Sequence, residues 1–187
     1  MKNIALIGAG GKVGQRLVQK LKNDPNYHMF YVEKQKERLE EYGVSVSNME
    51  EAVKNADYVI LAVPDRLIQF VSKEAAGYMK SGAILITLDP AATYSGAIEE
   101  LSHLKYVVIH PNHPSVFTSS SDPKVAKDYW GGVAPMDIVC SLVKGEESDK
   151  KDVENLARKM FAPIHQAFWI TAEQMCLLEP GVVELVT

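Results

Sequence analysis

Cysteine is scarce. Cys140 and Cys176 are the two in 187 residues, far apart and in apolar company. They read as buried free thiols, and nothing in their placement suggests a disulfide framework or a thiolate metal site. No apolar run is long enough to span a bilayer. The N-terminal aliphatics break into glycine too soon to be a signal peptide. Strong charge of either sign is also missing: 20 Lys and Arg against 24 Asp and Glu leave a net charge of −4. Nothing therefore points to nucleic acid or to an anionic membrane surface. There is no internal repeat and no low-complexity tract. The expectation is a cytoplasmic protein with one well-cored domain, or one domain and part of another.

What is present is an alternation. "NIALIG", "HMFYVEK", "DYVILAVP", "AILITLDP", "YVVIHP", "MDIVCSLVKG" and "QAFWIT" read as strands. Helical patterns lie between them. After "NIALIG", Val13, Leu17 and Leu21 recur every four residues. "KQKERLEEYG" is a short polar helix closed by Gly43. Ser47 with Glu50 forms a capping box. Asp65 caps a helix whose face carries Leu67, Ile68, Val71, Ala75 and Met79. Asp122 before Pro123 starts a small helix. Thr171 with Gln174 is a second capping box. Continuous aliphatic strands alternating with helices predict an α/β fold: a doubly wound, Rossmann-type, mostly parallel sheet covered on both faces. The long segment 111–135 is placed to cover a site.

Residues 8–14, "GAGGKVG", hold four glycines between the first strand and its helix. Such a turn lets phosphate approach the backbone, and a helix N-terminus favours an anion. Gly8, Ala9, Gly10 and Gly11 from the turn, with Lys12, Val13 and Gly14 from the helix start, are the expected pyrophosphate contacts. A tight turn without ligand needs only one glycine, so four favour a dinucleotide. Glu33 stands nineteen positions past Gly14, at the end of the second strand. A carboxylate there binds ribose hydroxyls and repels a 2′-phosphate, which favours NAD over NADP. The alternative for Glu33 is a solvated charge beside Lys34 and Lys36. Val63 and Pro64 end the third strand as apolar contacts to the dinucleotide. Asp89 and Pro90 end the fourth near the nicotinamide ribose, where a proline-fixed turn explains them equally well.

"HPNHPSVF" follows the fifth strand. Each of its two histidines precedes a proline, which holds its backbone extended. His110 or His113 can take the proton when an alcohol becomes a ketone. Neither ranks above the other. A backbone-bonded turn histidine is the bland alternative, and a metal pair is third because no carboxylate or cysteine cluster adjoins. Glu179 lies among Met175, Cys176, Leu177 and Leu178, facing either solvent or the site.

"ALIGAGGKVG", "DYVILAVPD", "ITLDPAA", "HPNHPSVF", "DYWGG", "IVCSLVKGEE" and "TAEQMCLLEP", in this order, resemble the phosphogluconate-dehydrogenase-like NAD-dependent oxidoreductases, and among them the D-apionate oxidoisomerases. The resemblance implies a Rossmann domain followed by a helical C-terminal domain that forms a homodimer. It implies oxidation of a hydroxy sugar acid with a carbon shift, apionate to 3-oxo-isoapionate. It places His110, Asn112 and His113 at the substrate. Members of this group continue past residue 187. Residues 1–170 are therefore expected to be the dinucleotide-binding domain, and 171–187 the first helix of an incomplete helical domain with Leu177, Leu178, Val182 and Leu185 exposed. A carbon shift requires a polarised ketone, from a protonated histidine or a divalent metal. The rival reading is a non-catalytic NAD(P)-binding or redox-sensing module.

Overall fold

The aliphatic runs become the strands of one sheet: β1 (Lys2–Ile7), β2 (Tyr27–Val32), β3 (Tyr58–Leu61), β4 (Ile84–Thr87), β5 (Lys105–Pro111), β6 (Met136–Lys144) and β7 (Ile164–Trp169). The computed structural model describes residues 1–112, 121–128 and 132–179. Strand order is β2-β1-β3-β4-β5-β6-β7. Every pairing is parallel except β5 with β6. The helices are α1 (Lys12–Leu21), α2 (Met49–Lys54), α3 (Asp65–Ala76), α4 (Ala91–Tyr94), α5 (Pro123–Ala126), α6 (Asp149–Met160) and α7 (Ala172–Glu179), with a 3-10 helix at Lys36–Tyr42. The expected doubly wound sheet is present.

Successive strand residues point to opposite faces, and both faces are covered. On β1, Ile4 and Leu6 join Leu17, Val18 and Leu21 of α1 and Val153, Leu156 and Met160 of α6. Ala5 and Ile7 join Ala52 and Val53 of α2 and Ile68 and Ala75 of α3 on the other side. Two adjacent strands, β1 and β3, feed helices on opposite faces. That leaves a crevice beyond their carboxyl ends, where ligands of such sheets sit.

Several local expectations are corrected. β6 runs antiparallel to β5, the exception within the expected mostly parallel sheet. Asn48, not Ser47, is the N-cap of α2, its side chain accepting from the Glu51 amide at 2.8 Å. Asp65 lies in the first turn of α3 rather than capping it, and Pro64 holds the N-cap position. Val13 and Leu67 are 41% and 40% exposed, while Val18 and Ser72 take inward positions. Cys140 is buried, its thiol pushed up to about 12 mainly by that burial, but Cys176 is only half-buried. The Thr171 capping box forms as read: Thr171 N–H donates to Gln174 Oε1 and Gln174 N–H to Thr171 Oγ1. The α7 helix packs on β6 and α4, buries Met175, and leaves Leu177 and Leu178 68% and 55% exposed. Val182 and Leu185 lie outside the described residues. No helix among the described residues is long and apolar enough to cross a membrane.

Carboxylates tie distant elements together. Glu154 accepts from the Trp169 indole N–H and from Arg158, which hold it below the usual glutamate range. Burial raises Asp57 and Asp149. Lysine and backbone donors (Lys80 and Asn3 to Asp57, Lys105 and Glu146 to Asp149) outweigh that and leave both carboxyls low. A folded-state value below the unfolded one gives stability that is complete above the unfolded value and lost as pH falls through the folded one. Thermal unfolding should therefore be unaffected by these groups above about pH 5 and fall progressively below about pH 4. Glu154→Gln should flatten part of that fall. An identical acid profile in the variant would remove Glu154 from this account.

Candidate functional site: the glycine turn and the His110 cavity

The turn after β1 separates the four glycines by role. Gly8 has φ +82°, and a Cβ on it would lie 2.4 Å from the Ala62 carbonyl oxygen. A Cβ on Gly14 would lie 2.1 Å from the Gly8 carbonyl oxygen, and one on Gly10 2.7 Å from Glu33 Oε2. Gly11 differs: a Cβ there meets nothing nearer than Gly8 O at 3.4 Å, an ordinary contact. The count of four glycines thus overstated the case for a ligand, because strand–helix packing demands Gly8 and Gly14 by itself. Gly11 is the one that neither packing nor Glu33 requires.

The turn's amides show where donors remain. Gly8 and Ala9 N–H donate to the Val32 carbonyl, and Gly11 N–H to Gly8 O. Gly10 N–H donates to Glu33 Oε2 at 2.9 Å, and Gln35 N–H to Glu33 Oε1 at 3.0 Å. Glu33 is therefore half-buried and clamped between the turn and the end of β2, while Lys34 and Lys36 are exposed. Gly11 is the N-cap of α1 and offers no side-chain cap. The first-turn amides of Val13 and Gly14 have no carbonyl one turn earlier in the helix, and the helix dipole makes this end favourable to an anion.

Beside this helix start lies a cavity of about 500 Å³, lined by Lys12, Val13, Gln15, Arg16, Gln19, Tyr42, Leu88, His110, Pro111 and Phe161. His110 Nδ1 is 3.0 Å from the Leu88 carbonyl oxygen. A carbonyl only accepts, so Nδ1 carries the proton and Nε2 is the basic nitrogen of the neutral ring. Two clefts of similar size open elsewhere, one by Lys2, Tyr27 and Lys159 and one by Trp169 and Gln174. Neither is lined by the glycine turn or His110.

The structure brings Lys12, Val13 and His110 into one cavity. Asn112 is exposed, with its N–H donating to the Asp137 carbonyl. Val63 is half-buried against Gly8, and Pro64 is exposed at the start of α3. Asp89 Oδ1 accepts from the Ala91 amide at 2.7 Å, starting α4, and Pro90 is buried as its N-cap. None of these lines the cavity. His113 lies outside the described residues; so does the side chain of Glu179, whose backbone closes α7. No group of three His, Cys, Asp or Glu among the described residues could hold a metal ion. Arg16, Leu88 and Phe161 were not anticipated. A cation four residues after Lys12, on the same helix flank, was the available signal for Arg16.

Comparison with known proteins places the chain in a family. Residues 1–89 match the family model of the D-isomer specific 2-hydroxyacid dehydrogenase NAD binding domain. Residues 118–187 match that of the phosphogluconate dehydrogenase (decarboxylating) C-terminal region. A D-apionate oxidoisomerase of Cupriavidus necator is 39% identical over 191 residues, covering 99% of this chain and 68% of that protein. The chain belongs to the D-apionate oxidoisomerase family. A second such enzyme, from Pectobacterium atrosepticum, is 37% identical over 100% of this chain and 66% of its own length. The chain thus spans about two thirds of the length of the curated relatives it matches. Among solved structures, a Cupriavidus necator protein described as a semialdehyde dehydrogenase NAD-binding protein in complex with calcium and NAD superposes with TM-score 0.91. It is 38% identical, covering 98% of this chain and 68% of that one. The glycine turn and the first four strands thus fall within the residues that match an NAD-binding domain.

Proposed function

We propose that this chain binds NAD across the glycine turn and serves the oxidation of a hydroxyl group on a sugar acid, coupled to isomerisation as in the relatives' name. The observation that supports it is one cavity that joins the uncapped start of α1 to His110. The turn fits a pyrophosphate: Gly11 leaves room where the other glycines leave none, and first-turn amides supply donors. NAD bound there supplies the hydride acceptor. The protein's part is to hold the substrate and remove the hydroxyl proton. His110 Nε2 is the base in this reading, with the ring's tautomer set by the Leu88 carbonyl. His113 and Asn112 are its proposed companions on the same loop, and Glu179 an additional acid–base candidate from α7. Val63, Pro64, Asp89 and Pro90 line the path of the dinucleotide at the ends of β3 and β4. Residues 1–170 form the nucleotide-binding unit, and α7 opens the helical one. The protein works in the cytoplasm, paired with a second copy, without nucleic acid or membrane partners; the net charge of −4 is consistent with that.

The test is reduction of NAD by purified protein with D-apionate, followed at the NADH absorbance. NAD binding without turnover would leave the nucleotide-binding module instead. Cofactor choice gives a separate prediction. Glu33 spends one lone pair per oxygen on the Gly10 and Gln35 amides and keeps others for ribose hydroxyls. A 2′-phosphate would meet its negative charge. Calorimetric titration should show NAD binding at least roughly tenfold more tightly than NADP, and Glu33→Gln should narrow the gap. Equal binding of the two would mean that Lys34 or Lys36 governs the pocket.

A further inference from the structure

The cleft beside Trp169 and Gln174 has a volume of about 580 Å³. It lies where β6 runs on past its last pairing with β7, that of Cys140 with Trp169. Ser141 is the next residue of β6 and one of the walls. Cys140 belongs to the core on the α1 and α6 side, so Ser141 faces the opposite way. Ser141 is 1% exposed, and its hydroxyl makes no hydrogen bond among the described residues. The hydroxyl is not sealed in, however, and the cleft is where Ser141 meets open space. A buried hydroxyl without a partner in the chain takes one from whatever fills the space before it.

The start of α7 forms a second wall, through Thr171, Ala172 and Gln174. The capping box satisfies the Thr171 and Gln174 amides, and Met175 N–H donates to the Thr171 carbonyl. The Ala172 and Glu173 amides have no carbonyl one turn earlier. The Thr171 hydroxyl accepts in the box and keeps its own proton to donate. Donors therefore prevail at this end, and the helix dipole favours a negative charge there. Glu173 is exposed and is not a wall of the cleft. The side-chain charges of the walls cancel, since Lys150 pairs with Glu147 at 2.8 Å and also stands over the Trp169 ring at 5.4 Å. An anion here is met by a helix end and neutral donors rather than by a cation. Leu142, Val143 and Ile170, each half-buried, make the remaining wall apolar.

We propose that this cleft binds a small carboxylic acid with an apolar body. Its carboxylate lies between the Ser141 hydroxyl and the first turn of α7, and its body lies against Leu142, Val143 and Ile170. A single negative charge suits the partial positive charge of a helix end, whereas a phosphate dianion lacks a counter-charge among these walls. This is a second site, separate from the His110 cavity and independent of the function read from it.

The test is calorimetric titration of 3-phenylpropionate, its neutral amide 3-phenylpropanamide and inorganic phosphate, with and without saturating NAD. The proteins are wild type, Ser141→Ala, Ala172→Pro and His110→Asn, with thermal unfolding measured alongside. Ser141→Ala removes the hydroxyl alone. Ala172→Pro removes one amide and keeps the helix, because proline suits the first helical position. Either variant carries the test if the other does not fold. The acid should bind wild type at one site per chain, at least about tenfold more tightly than the amide. Ser141→Ala and Ala172→Pro should each weaken it about tenfold, while His110→Asn and NAD leave it within about twofold. No binding to the wild type, equal binding of acid and amide, or undiminished binding in either folded variant would overturn the proposal. So would phosphate binding more tightly than the acid. Binding lost in His110→Asn or displaced by NAD would put the acid in the other cavity and overturn it as well.

Discussion

Gly11→Val should abolish NAD binding and leave a folded protein. The backbone at Gly11 is extended, φ −73° and ψ 166°, a conformation valine adopts without strain. Its Cβ would meet the Gly8 and Ala62 carbonyl oxygens at 3.4 and 3.6 Å, so the fold accommodates it. What the side chain occupies is the open space before the helix N-terminus, where a pyrophosphate must come close to the backbone. A loss of at least about a hundredfold in NAD affinity is expected from closing a phosphate cradle and burying its donors behind an isopropyl group. Circular dichroism and thermal unfolding should match the wild type. Gly14→Val provides the contrast: its Cβ would stand 2.1 Å from the Gly8 carbonyl oxygen, so α1 cannot stay seated on β1 and the fold itself should suffer. Undiminished NAD affinity in Gly11→Val would show that the turn is structural only.

His110→Asn should lower turnover of the sugar acid by about a hundred- to ten-thousand-fold, the usual contribution of a positioned base. Asparagine can still donate to the Leu88 carbonyl, so the local hydrogen bond survives while the titrating nitrogen is lost. The limb of the pH–rate profile that an imidazole base gives near neutrality should vanish with it. NAD affinity should barely change, because the proposed pyrophosphate and ribose contacts lie at the ends of β1 and β2. A structural role predicts the opposite pattern: lower thermal stability with an unchanged pH profile. A metal role predicts inhibition by chelator and recovery on adding divalent ion. The same replacement at His113 separates the two histidines, which the sequence leaves equal. If neither alters turnover, the base is to be sought elsewhere, Glu179 first.

The legible parts of this fold are those that depend on neighbours in sequence. Strands such as Tyr58–Leu61 and Ile84–Thr87 are wholly buried, so an unbroken aliphatic run announces them. The Thr171 capping box and the Asp122–Pro123 helix start follow from side chains reaching two or three residues along. The direction of β6 could not be read this way, because it depends on the path of the segment between β5 and β6 rather than on the strand's residues. The cap of α2 slipped by one residue because Ser47 and Asn48 are both good caps, and the fold's use of each decides between them. At the candidate site, Gly8 to Gly14, Glu33 and His110 could be picked out in the sequence as residue types at strand ends. That Glu33 would fasten the Gly10 amide was not. Arg16 was hidden for a similar reason: its flank of α1 faces a cavity only because Phe161, 145 positions away, closes the other side.

In the proposed function the dinucleotide lies over the glycine turn with its nicotinamide in the cavity lined by His110. A crystal structure of the protein with NAD and D-apionate tests it most directly. Pyrophosphate oxygens are expected within hydrogen-bond distance of the first-turn amides of α1, ribose hydroxyls on Glu33, and the nicotinamide ring in the cavity between Val13 and His110. A dinucleotide seated in either of the other clefts, or one on the turn with its nicotinamide directed away from His110, would contradict it.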